Sequence, residues 1–159
     1  MKWRTLSGQP VADVIAFVLE AAKNGQDVHV GTDSLQTGRF TQFCTVVVIH
    51  TPGKGGRAAY CREVVPRMTS LRERLSKEVW KSVEIAMALA PILAERVTVH
   101  IDANTNPRYR SAEFAQELVG MVMGQGFKAA IKPYSWAASH CADHIVRTCG
   151  LLPHREDAA

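Results

Sequence analysis

Asp27-Val-His-Val-Gly-Thr-Asp33 alternates in polarity and closes on an acid, and Arg96-Val-Thr-Val-His-Ile-Asp102 repeats the pattern further along the chain. Alternation with period two marks a half-buried strand, so each segment reads as a strand that ends in a carboxylate. In an open sheet with parallel neighbours, ligands gather beyond the carboxyl ends of the strands. If these two strands are adjacent, their terminal acids lie close together. One aspartate closing a strand is commonly only a turn former or a helix cap. Two in matching positions point to a shared site.

Working outward, Gln42-Phe-Cys-Thr-Val-Val-Val-Ile-His50 is a β-branched run too short to cross a membrane. Thr51-Pro-Gly-Lys-Gly-Gly-Arg57 must reverse the chain, and Ala58 to Val65 returns as a third strand. That glycine-rich turn lacks the GxxxxGK[ST] pattern and no helix follows it, so it is not read as a phosphate-cradling loop. Before the first strand, Pro10 to Lys23 has helical period and stops at Asn24-Gly25. After the hairpin, Ser70 and Glu73 form a capping box, and Leu71, Leu75, Val79, Val83, Ala86 and Ala90 mark the apolar face of a second helix ending near Pro91 or Arg96. A loop from Ala103 to Ser111 follows the second acid-bearing strand, with Ser111 expected to cap a third helix that runs to Gly124-Gln-Gly126. Phe127 to Lys132 is a fifth strand ended by Pro133, and Ser135 to Cys149 a last helix.

Three antiparallel strands followed by αβαβα give a five-stranded mixed sheet with helices on its faces, preceded by an extra helix. The expected division is an N-terminal helical extension at 1–26, one α/β domain at 27–150 and a flexible tail at 151–159. A chain of 159 residues is long enough for a single core, and 47% hydrophobic with 21% charged residues is ordinary globular composition.

Nineteen Lys and Arg against fifteen Asp and Glu leave a charge of +4, a mild lean toward polyanionic partners that a simple solubility charge explains equally well. Cys44, Cys61, Cys141 and Cys149 show no CxxC spacing, and no signal peptide or membrane-spanning run is apparent, so a reduced, cytoplasmic protein is expected. Zinc would need His100, His140 or His144 as well, and paired ligand spacing is lacking.

Two adjacent carboxylates repel, and one must take a proton unless a cation neutralises both. Mg²⁺ and Mn²⁺ prefer oxygen ligands, and two such ions about 3.5–4 Å apart can hold the attacking and leaving oxygens of a phosphodiester. Two strand-end acids are too few for that, so more must come from helices.

Val30-Gly-Thr-Asp-Ser34, Gly53-Lys-Gly-Gly-Arg57, His100-Ile-Asp-Ala-Asn104 with Asn106-Pro107, Val119-Gly-Met121 with Gly126-Phe127, and Lys132-Pro-Tyr-Ser-Trp-Ala-Ala-Ser-His-Cys-Ala-Asp143 together resemble the YkuK family of ribonuclease H-like proteins. The likeness spans about Asp27 to Arg147. That superfamily implies acids at the end of the first strand, in the first core helix, at the end of the fourth strand and in the last helix. The matching positions are Asp33, Glu78, Asp102 and Asp143. Glu78 is preferred to Glu73 and Glu84 because it lies early in its helix and twenty-four positions before Asp102.

The resemblance implies two-metal hydrolysis of RNA, DNA or a hybrid, with Asp33 bridging two Mg²⁺ or Mn²⁺ ions, Glu78 and Asp102 on one, Asp143 on the other, and water as nucleophile. Ser34, Lys54, Arg108, Arg110 and Lys132 are candidate substrate contacts by charge and position, and Tyr109 and Tyr134 candidate stacking surfaces. His140 and His144 flank Asp143 and are candidate proton shuttles, although packing explains either one as well. His140 lies too close to Asp143 for the exonuclease pattern. The rival expectations are a catalytically silent nucleic-acid-binding or scaffold protein, and a small-nucleotide phosphohydrolase.

Overall fold

The computed structural model describes residues 1–23 and 25–148. Asn24, Cys149 and the 151–159 tail lie outside the described residues. The elements in chain order are β1 (Trp3–Thr5), β2 (Pro10–Val11), α1 (Val14–Ala21), β3 (Asp27–Thr37), β4 (Phe40–Thr51), β5 (Gly55–Pro66), α2 (Leu71–Leu93), β6 (Val97–Ile101), α3 (Ala115–Met123), β7 (Lys128–Ile131) and α4 (Asp143–Thr148).

β3, β4 and β5 form the expected antiparallel meander, and β6 and β7 add parallel to β3, giving the order β2-β1-β5-β4-β3-β6-β7. The sheet therefore has seven strands, not five. The two additional strands come from the segment expected to be only helical: Trp3↔Cys61 and Arg4↔Tyr60 place β1 beside β5, and Trp3↔Val11 adds β2. The helix accordingly starts later than Pro10, where the Asp13 carboxylate accepts from Ile15 N at 2.9 Å and Ala16 N at 3.1 Å. These bonds satisfy two of the four orphan donors of the first turn.

The period of two sorts each strand's residues between two layers. Val28, Val30, Val47, Ile49, Val97, Val99 and Ile101 face α1, α2 and α3 in the main core. Cys44, Val46, Val48 and Tyr60 face the last helix through Ala142 and Ile145. β4 lies between both layers, which is why it reads as an unbroken apolar run rather than an alternation. α2 starts as expected, Ser70 Oγ accepting from Glu73 N at 3.2 Å. Ser111, however, does not cap α3. Its hydroxyl accepts from Asn104 N at 3.0 Å and steadies the loop, a 3₁₀ turn covers Arg110–Phe114, and α3 begins at Ala115.

The last helix approaches β3 at Gly31. A Cβ there would stand 2.6 Å from Ala138 N and 2.9 Å from both Ala137 C and Ala138 Cα, all backbone atoms that cannot step aside. Gly31→Ala is therefore expected to destabilise the fold by about 1–3 kcal/mol, the usual cost of overpacking. Urea unfolding measures it, and a change of only a few tenths would show that the helix can retreat without loss.

Candidate functional site

Asp102 follows directly on β6 as expected, but Asp33 does not end its strand: β3 runs on to Thr37 against β4, and Asp33 lies just past the last residue of β3 paired with its parallel neighbour β6. Glu78 arrives from α2 on one side of the sheet, and Asp143 opens α4 on the other. All four acids interact. Asp33 feels Asp102 and Asp143, and Glu78 feels Asp33 and Asp102.

Burial and these like charges push Asp33 up to about 7 and Glu78 up to about 8, burial being the larger cause in each. The nearby Asp143 carboxyl adds to the rise at Asp33, and the Ser34 backbone N–H, donating to Asp33 Oδ1 at 2.8 Å, opposes it.

Each outlying acid carries a cation of the chain's own. Arg74 Nη1 lies 3.2 Å from Glu78 Oε1, Lys132 Nζ 2.8 Å from Asp102 Oδ1, and Arg147 pairs with Asp143. Ser34 Oγ donates to Glu78 Oε1 at 2.6 Å and accepts from Arg74 at 2.7 Å. Arg74 and Arg147 were missed in the sequence, yet Arg74–Glu78 and Asp143–Arg147 have the (i, i+4) spacing of helical ion pairs.

A hydroxyl chain holds α2 in register beneath Glu78. Ser82 Oγ donates to the Glu78 carbonyl at 3.2 Å. Its single proton being committed, it accepts from Thr32 at 2.8 Å, and Thr32 accepts from Thr45 at 3.0 Å. No group of three acid, His or Cys side chains among the described residues is already arranged as a metal cage. The donor set nevertheless fits a hard divalent ion: it consists of carboxylate oxygens, and Asp102 Oδ1 is buried with no hydrogen-bond partner. The 2.8 Å approach of Lys132 is thus an ion pair without hydrogen-bond alignment.

The other expected residues divide by position. Asn104, Thr105, Lys132, Pro133, Ser139 and His140 line an open hollow of about 480 Å³ beside Asp102. A second hollow of about 380 Å³ shares Thr105 and contains Tyr109 and Arg110. Arg108 lies on the same loop, its backbone N donating to Asn106 Oδ1 at 3.0 Å. His144 is exposed on α4, and Tyr134 is exposed after β7. The Ser34 hydroxyl is engaged with Glu78 and Arg74 rather than held open.

Lys54 is not brought to the acids. It sits in the turn after Thr51, at the strand end where His50 pairs with Asp27, six residues before Asp33. That separation is about 20 Å along the strand.

The raised carboxyls set a pH dependence. Unfolded, both acids titrate near 4, so the folded protein holds extra protons above that value, and the associated stability is lost as pH rises through about 7 and 8. Burial lowers His29 and His100, which works in the opposite sense below their ordinary value of 6.5. The carboxyl effect is therefore isolated from there to about pH 8, above which the raised Cys61 and Cys141 thiols begin to act in the same sense. In EDTA the melting temperature is expected to fall between pH 6.5 and pH 8.5, and Asp33→Asn to flatten the fall; a melting temperature that rises over this window would contradict the assignment.

Residues 9–147 match the family described as Ribonuclease H-like. The chain is 27% identical over 147 residues to "Uncharacterized protein YkuK" of Bacillus subtilis (strain 168), covering 83% of this chain and 86% of that protein. It is also similar to the crystal structure of RNase H1 from the halophilic archaeon Halobacterium salinarum NRC-1, at 13% identity and a TM-score of 0.41, over 74% of this chain and 98% of that one. Among the described residues no helix is long and apolar enough to cross a membrane. With the meander, the parallel additions and the helices on both faces, the match over most of its length places this chain in the ribonuclease H-like family, alongside YkuK.

Proposed function

We propose that this chain hydrolyses nucleic-acid phosphodiester bonds with the help of Mg²⁺ or Mn²⁺, using Asp33, Glu78, Asp102 and Asp143. The observation that carries the reading is the gathering of Glu78, Asp102 and Asp143 around Asp33, with Asp33 pushed up to about 7 and Glu78 to about 8. Such an arrangement is costly unless cations are recruited to it. Asp33, between Asp102 and Asp143, would be shared by two ions, with Glu78 and Asp102 on one side and Asp143 on the other. Bound there, divalent ions supply Lewis-acid polarisation of a phosphodiester and activation of water.

The chain's own residues bind and orient. Arg108 and Arg110 on the β6 loop carry positive charge to the rim, and Lys132 can exchange Asp102 for a phosphate. His140 borders the hollow beside Asp102, where it can take or give a proton. The two hollows meet at Thr105 and are open, which favours a polymer laid across the surface over an enclosed small nucleotide.

One observation favours a rival, a metal-free nucleic-acid binder: Arg74, Lys132 and Arg147 already neutralise three of the acids. End-labelled RNA, DNA, RNA–DNA hybrid and four-way junction, incubated with Mn²⁺ or Mg²⁺, separate the two. Cleavage is expected for at least one substrate, falling to about one hundredth or less in an Asp33→Asn, Asp102→Asn variant. Binding without cleavage, unaffected by chelator, would establish the rival.

A salt titration tests the substrate contacts. Replacing both Arg108 and Arg110 by Ala should reduce the slope of log affinity against log salt by about 2. An unchanged slope would remove that loop from the binding surface.

A further inference from the structure

The last acid is delivered by an unusual piece of backbone. Ala137–Ala142 form a π turn, one residue wider than an α turn, and Asp143 N closes it by donating to Ala138 O and His140 O. No side chain of the preceding residue caps this segment. Instead, the fully buried Ala137 donates its N–H to His100 Nδ1, on β6, at 3.1 Å.

That bond orders the protons of a histidine pair, His100 buried and His29 half-buried. A backbone N–H can only donate, so with Ala137 as its partner His100 Nδ1 accepts and the ring's proton is assigned to Nε2; the Ser135 backbone beside the ring pulls the other way, favouring the protonated form, but burial outweighs it. His100 Nε2 then donates to His29 Nδ1 at 3.0 Å, which leaves the His29 proton on its own Nε2. With one nitrogen of each ring accepting, each ring carries a single proton. With one nitrogen of His100 protonated and the other occupied, the pair is not a metal chelate. Trp136 packs on both rings, its centroid 4.8 Å from His29 and 5.1 Å from His100.

We propose that His100 is the positioning residue of Asp143: by accepting the Ala137 N–H it pins the start of the π turn on the Gly31 side of the sheet and so aims Asp143 at Asp33. This rests on the reading that the four acids act as one site. If the turn rewound to α geometry, the helix beyond it would shift by one residue, a rotation of about 100°, and Asp143 would leave Asp33. Gly31 permits the close seat, and His100 selects the turn that occupies it.

Two amide replacements in the full-length protein divide the two ends of the ring. His100→Asn places a carbonyl oxygen near the Nδ1 position and can still accept from Ala137; His100→Gln reaches toward the Nε2 position and keeps only His29. Amide hydrogen exchange at Ala137 and Ala138 is expected to stay near wild type in the Asn variant and to accelerate about tenfold in the Gln variant. Mn²⁺ affinity measured by calorimetry should fall about 10- to 100-fold in the Gln variant and be largely retained in the Asn variant. Equal exchange in the two variants would overturn the proposal, making His100 an ordinary polar core residue. Should the Gln variant not fold, the Asn variant alone decides: retained protection at Ala137 supports the role and lost protection overturns it. A split in exchange with no Mn²⁺ binding even by wild type would uphold the positioning role and reject the metal reading, so the two failures are distinguishable.

Discussion

Asp33 and Asp102 end up beside one another because β3 and β6 are parallel neighbours, and the mutual repulsion of their carboxylates is the constraint around which the surrounding structure is arranged. Bringing Glu78 and Asp143 to the same place from opposite faces raises that cost. The structure offsets it by raising Asp33 and Glu78 and with one cation for each outlying acid: Arg74, Lys132 and Arg147. Hydroxyls of Thr45, Thr32 and Ser82 fix the α2 side, while Gly31 and the His100–Ala137 bond fix the α4 side. A low-dielectric, repelled cluster of hard oxygen donors is what a divalent cation would stabilise most, which links the electrostatics to the proposed chemistry.

The parts of this arrangement that follow from period and strand ends were legible in the sequence. Asp102 follows the end of β6 as its alternating run implies, whereas Asp33 lies inside β3, which runs on to Thr37; Ser70 with Glu73 marks the start of α2 correctly. Glu78 and Asp143 were reached through family resemblance, since an acid on a helix is ordinarily a solvated residue. β1 and β2 escaped notice because three and two residues are too short to show a period; their pairing with β5 and with each other is a tertiary fact. The π turn was equally hidden, because it depends on a missing Cβ at Gly31 and an acceptor on another strand.

Lys54 illustrates a different lapse. Its charge made it a candidate substrate contact, but an antiparallel strand returns to the start of its neighbour. The turn after β4 therefore belongs at the end of β3 opposite Asp33, a parity argument available from the element order alone. Ser111 shows the reverse case: a residue well suited to cap a helix was drawn into bonding the Asn104 backbone, because the loop carrying Arg108 needed an acceptor more than α3 did.

Crystals soaked in Mn²⁺ at about pH 8, with data collected at a wavelength where manganese scatters anomalously, would test the central claim most directly, since the claim is that these four acids form one divalent-cation site. The account predicts anomalous peaks between Asp33, Asp102 and the acids on either side, with Lys132 displaced from Asp102. Fully ordered acids with no peak among them, and with Arg74, Lys132 and Arg147 still in place, would contradict it.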